Sequence, residues 1–200
     1  QPALIEATAN QVNQFGGYTG MTPRDYASFV YEIADKTGFD RGMLILGGDH
    51  LGPLTWKGEP EQSAMDKAET LIEDFMRAGF SKIHIDTSMR LKDDSVTERL
   101  SDAVIARRAA RLAAAAQRVG GDAVDISGSE GPVPGGAQEE EAVAVTAPED
   151  FERTLESFRQ AFEKAGANQV WSRVIGVVVQ PGVEFGDASV HHYDRNAAKK

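Results

Sequence analysis

Apolar residues along this chain alternate between two periods. Five short runs rich in Val, Ile and Leu read as buried strands: Ala3–Ala7, Met43–Gly48, Lys82–Thr87, Ala123–Ser127 and Val174–Gln180. Between them, apolar residues recur at helical spacing. Thr22-Pro23-Arg24-Asp25 is a cap-plus-proline start, followed by Tyr26, Phe29, Val30 and Ile33 on one face and closed by Gly38. Glu61–Ala78 aligns Ala68, Leu71, Ile72 and Phe75 ahead of Gly79. Thr97–Val119 is rich in Ala and Arg, with Leu100, Val104 and Leu112 inward, and a segment opening at Thr146 carries Phe151, Leu155, Phe158 and Phe162. Such stripes are core-facing surfaces rather than cofactor-binding features.

Strand, loop and helix alternating in this way predict an α/β fold with a parallel sheet covered by helices. Strand starts fall roughly forty to fifty residues apart, beyond the ~30 residues of a minimal βαβ unit, which leaves room for functional loops. Two architectures satisfy the pattern. One is a doubly wound five-stranded sheet; the other is a TIM (β/α)8 barrel with about five βα units in this chain, truncated at both ends. A chain that opens at Gln1 directly before a strand, with no closing helix at Lys199–Lys200, favours the barrel, as a single domain over residues 1–200.

Composition narrows the class. A hydrophobic content of 41% over 200 residues sustains one core. No cysteine is present, which excludes disulfides and thiolate metal sites and fits a cytoplasmic location. A net charge of −10 argues against nucleic acid and leaves any anionic sugar phosphate to be held by local groups. No stretch approaches the ~20 apolar residues of a membrane span.

Candidate chemistry gathers where strands end, the usual place in parallel α/β proteins. The sharpest stretch is Leu44–Pro53, in which an apolar run stops at Gly47-Gly48 and is followed by Asp49 and His50. Asp-His at a strand end can ligate a metal or move a proton, although Asp49 as a plain helix cap is the simpler alternative. The first strand leads into Glu6, Asn10, Gln11 and Asn13, then the Gly-Gly-Tyr-Thr-Gly loop, which lacks the spacing and lysine of a P-loop. Alternation in the third strand puts Lys82, His84 and Asp86 on one face, with Ser88 just beyond. His84, mid-strand, reads first as a satisfied interior histidine. The fourth strand runs on to Glu130 and a Gly/Pro-rich segment, and the fifth ends at Gln180-Pro-Gly-Val-Glu184. A histidine with carboxylate oxygens suits a divalent metal such as zinc or manganese, and the credible donors are Asp49, His50, Asp86 and Glu130. The surrounding amides and hydroxyls of Asn10, Gln11, Asn13, Ser88 and Gln180, with Glu6, suit a sugar.

Several long motifs carry a resemblance: Glu6-Ala-Thr-Ala-Asn-Gln-Val-Asn-Gln-Phe-Gly-Gly-Tyr-Thr-Gly, Leu46-Gly-Gly-Asp-His-Leu-Gly-Pro, Phe80-Ser-Lys-Ile-His-Ile-Asp-Thr-Ser, Pro132-Val-Pro-Gly-Gly and Val178-Val-Gln-Pro-Gly-Val-Glu-Phe. In order and spanning Pro2 to about Tyr193, they resemble the accessory subunit of class II D-tagatose-1,6-bisphosphate aldolase. That resemblance implies a TIM barrel acting in galactitol or amino-sugar catabolism, in an oligomer with a catalytic subunit whose activity and stability it supports. Asp49 would match a proton-transfer acid, His50 a metal ligand, and Glu130 a later-strand carboxylate. Where catalytic relatives place a zinc-binding His-Gly, this chain has Gln180-Pro-Gly, which agrees with an accessory role. Other relatives look like metal-dependent ketose epimerases or isomerases, using Asp49, His50, Asp86 and Glu130, or carry a tagatose-6-phosphate kinase label for which this sequence has no ATP motif.

Overall fold

The structure is a computed structural model, described here over residues 1–98, 100–120, 123–127, 145–185, 190–196 and 199. Five strands form one parallel sheet: β1 (Ala3–Thr8), β2 (Leu44–Leu51), β3 (Lys82–Ile85), β4 (Val124–Ser127) and β5 (Val174–Val177). Their spatial order is their chain order, β1-β2-β3-β4-β5, without the reversal of a doubly wound sheet. Parallel neighbours require a crossover, and α1 (Pro23–Thr37), α2 (Glu61–Arg77), α3 (Asp102–Val119) and α4 (Pro148–Lys164) supply it. A one-turn helix α5 (Asn168–Trp171) and a two-stranded antiparallel pair, β6 (Glu184–Phe185) with β7 (Val190–His191), are too short to leave a periodic signal in the sequence.

The core lies between one face of the sheet and the helices. Leu46, Ile83 and Ile85 from the strands meet Leu71, Ile72 and Phe75 of α2, Leu112 of α3 and Phe162 of α4, all buried. Gly48 makes this contact close, since a Cβ there would lie 2.3 Å from Leu51 and 3.0 Å from Phe75. Helix α1 differs in part from its sequence reading. Tyr26 and Val30 of the expected face do pack inward, with Pro23, Ala27 and Ala34 beside them. Phe29 and Ile33 stay 46% and 44% exposed. Helix α3 starts at Asp102 rather than Thr97, because Ser101 caps it while the Ser95 hydroxyl accepts the backbone N–H groups of Thr97 and Glu98 in a local turn.

The loop after β3 is tied to the start of α2. Helix α2 has no side-chain cap at Pro60, and Asp93 of the loop accepts the Glu61 N–H at 2.8 Å. Arg108, fully buried in α3, donates to Asp94 at 2.7 and 2.9 Å and to Glu61 at 2.6 Å. On the opposite face of the sheet, Leu4 and Ile45 sit side by side and remain 47% and 39% exposed. Among the described residues no helix is long and apolar enough to cross a membrane.

Candidate functional site

The polar residues of β1, β2 and β3 share the face that the helices leave uncovered. Register fixes this: Glu6 of β1 lies beside Gly47 of β2, and Gly47 beside Lys82 of β3. Thr8 then aligns with Asp49, and His84 follows two residues after Lys82.

A bulge completes the arrangement. Gly48 pairs with Ile83 and Leu51 with Ile85, so three steps of β2 oppose two of β3. The extra residue falls in Asp49-His50, and His50 takes a left-handed φ of 50°, alone among the described non-glycine residues. Consecutive strand residues ordinarily point to opposite faces. Here the bulge turns both side chains together, and His50 Nδ1 lies 2.9 Å from Asp49 Oδ2. His84 Nδ1 lies 3.0 Å from the other oxygen, Asp49 Oδ1, and the two imidazole centroids are 4.5 Å apart.

Charge decides the proton positions. Partial burial, the largest influence, raises the Asp49 pKa, but hydrogen bonds from His84 and His50 with the charges of His50 and Lys82 outweigh it and lower it to about 2. The ionised carboxylate only accepts, so each Nδ1 carries the proton that faces it. The backbone N–H of His50 also approaches His84 Nδ1, at 3.4 Å. A protonated Nδ1 cannot accept it, and the shorter charge-assisted bond to Asp49 prevails. Bonding both Nδ1 atoms to one carboxylate orients the two rings and leaves the Nε2 of each outside the bond to Asp49. Asp49, His50 and His84 offer ligand atoms all within 4.8 Å of one another, an arrangement able to hold a metal ion. Against such an ion stands Lys82, whose ammonium is paired with Glu6 and lies 3.5 Å from Asp49 Oδ1.

Other residues marked by the sequence have different partners. Asp86 is at the same rim, where its N–H donates to Leu51 O at 3.0 Å, but its Oδ1 accepts the Ser88 N–H and hydroxyl at 2.9 and 2.7 Å. Its backbone oxygen lies 1.8 Å from where a Cβ on Gly52 would be, so only glycine fits there. Asn13, buried, donates to Ala9 O and accepts from Phe15 and Gly17 N–H, holding the glycine loop. Gln11 accepts the Thr8 N–H, and Asn10 the Thr55 hydroxyl, both at 2.8 Å. Gln180 Oε1 accepts Gly182 and Val183 N–H at 2.8 and 3.2 Å. Glu130, and the Gly/Pro-rich segment after it, lie outside the described residues. His84 and Lys82 are what the sequence reading placed on the right face without assigning a role; their period-two spacing with Asp86 was the available signal.

These features define a class: an α/β protein with a sequentially ordered parallel sheet and an acid–imidazole centre at the carboxyl end of its second and third strands. The family model described as D-tagatose-1,6-bisphosphate aldolase subunit GatZ/KbaZ-like matches residues 1–200, and the chain belongs to that family. A crystal structure described as a probable tagatose 6 phosphate kinase from Sinorhizobium meliloti 1021 is similar at 50% identity and a TM-score of 0.86, over 99% of this chain and 47% of that one. The chain thus spans about half the length of that relative.

Proposed function

We propose that the chain is part of a non-catalytic accessory subunit of a class II D-tagatose-1,6-bisphosphate aldolase, which sustains the activity of a separate catalytic subunit in a cytoplasmic oligomer. The sequential strand order supports a TIM barrel as the complete fold, because right-handed crossovers between successive neighbours put all helices on one side. One observation carries the accessory reading: Asp49 is lowered to about 2 and both its oxygens accept imidazole N–H groups. Abstracting a proton beside a sugar carbonyl calls for a base whose pKa lies nearer the working pH. Asp49 instead orients the two imidazoles.

The test is reconstitution. Full-length protein co-expressed with a catalytic subunit co-purifies with it and raises its turnover several-fold, and Asp49→Asn keeps that effect. Cleavage of tagatose 1,6-bisphosphate by the full-length protein alone, or ADP release from ATP with tagatose 6-phosphate, would refute the accessory role.

The grouping of Asp49, His50 and His84 favours a second reading, a metal-dependent ketose epimerase or isomerase with zinc or manganese on the imidazoles. It requires stoichiometric metal that His84→Ala removes together with ketose turnover.

A further inference from the structure

Neither reading uses the Glu6–Lys82 pair. Glu6, Gly47 and Lys82 stand abreast on three strands, and the missing side chain of Gly47 is what lets Lys82 reach across β2 to Glu6. A Cβ on Gly47 would lie 2.6 Å from Glu6 Oε1 and 3.0 Å from its Cγ, in the path of this contact. The Lys82 side chain is 9% exposed, and its ammonium is 3.5 Å from Asp49 Oδ1, the same oxygen that faces His84. A positive charge is therefore already installed between two carboxylates, on a face where the resemblance to class II aldolases implies a metal.

We propose that Lys82 is a tethered counter-cation which takes the place of a divalent metal on this face and holds the Asp49–His50–His84 cluster in a weakly metal-binding state. A divalent ion drawn to Asp49 meets a fixed like charge that the strand cannot move away, and at close range such repulsion is strong outside bulk water. Binding through Asp49 would also displace the Nδ1–H groups that its oxygens now accept. Glu6 keeps the ammonium in position, so Glu6 serves the lysine rather than a substrate hydroxyl. The inference extends the accessory reading, and a metal titration needs no catalytic partner, so the two fail independently.

The experiment compares full-length wild type, Lys82→Met and Lys82→Arg, titrated with Zn²⁺ by calorimetry and with Co²⁺ by visible absorption. A Glu6→Gln/Lys82→Met protein, which removes the pair as a neutral unit, serves if the single variant does not fold. Wild type and Lys82→Arg are expected to bind either ion at least about tenfold more weakly than Lys82→Met, a difference of ~1.4 kcal/mol. The gain should bring the cobalt bands of imidazole ligation and vanish when His84→Ala is added. Wild type binding zinc stoichiometrically and as tightly as Lys82→Met would overturn the proposal. A lack of gain in both uncharged variants would overturn it equally.

Discussion

His50 carries a backbone conformation that a β-carbon resists, at φ 50°, and pays for it with its position against Asp49. Replacing it separates the two effects. His50→Ala keeps the strained backbone and loses the imidazole, whereas His50→Gly loses both, so the glycine variant should be the more stable by about 1 kcal/mol in denaturant unfolding. Gly52 is a second fixed point. Because the obstructing atom is the Asp86 carbonyl oxygen and not a mobile side chain, Gly52→Ala should cost about 3 kcal/mol, the upper part of the overpacking range, measured the same way. For Asp49 the folded pKa lies below its ordinary 3.8, at about 2, so its contribution to stability is present above that ordinary value and is lost as pH falls toward 2. Unfolding midpoints taken between pH 5 and pH 2 should therefore fall less steeply in Asp49→Asn than in wild type. At this scale Asp49 and His50 were legible because two glycines set them off at a strand end. For Asn10, Gln11 and Asn13 the sequence shows only amides in a loop, and the fold adds that Gln11 and Asn13 bond nearby backbone while Asn10 accepts the Thr55 hydroxyl.

Among the elements, the start of α2 depends on a different segment of chain. Asp93 satisfies its first N–H, and Arg108 joins Glu61 and Asp94 without exposure to solvent. Arg108→Met would remove the buried cation that Asp94 and Glu61 share, leaving Glu61 to its pairing with Arg107. As both remain partly exposed, the loss should fall near the lower end of the range for a broken buried pair, about 3 kcal/mol in thermal or denaturant unfolding. The strand and helix sequence was readable from periodicity, down to the Ala68, Leu71, Ile72 and Phe75 stripe of α2. The bulge in β2 was not, because an extra residue is defined only against the partner strand it fails to match. This is also why Asp49 and His50 looked like the first residues of a loop while the ladder continues to Leu51.

For the molecule as a whole, helices cover one side of the sheet, and the other side combines Leu4 and Ile45 with the charged cluster. The proposed barrel would enclose that side. In full-length protein Leu4→Ser should then cost about 2 kcal/mol, as for a truncated core residue, in denaturant unfolding; an effect under about 0.5 kcal/mol would mean that this side faces water. Here the sequence was informative about class and silent about closure. Alternation of strands and helices implies a parallel sheet, but the order of the strands is a property of the assembled sheet, and the choice between a wound sheet and a barrel rests on it.

The irregularity between Gly48 and Leu51 also makes the centre depend on how many residues the strand contains, beyond which ones they are. Deleting Gly48 would let the ladder run evenly and send the acid and the neighbouring imidazole to opposite sides, although both groups survived. Homologous chains of altered length at this point would be expected to have a different centre, however similar their composition, and a search for relatives sharing this chemistry should weigh gaps at that position more heavily than exchanges.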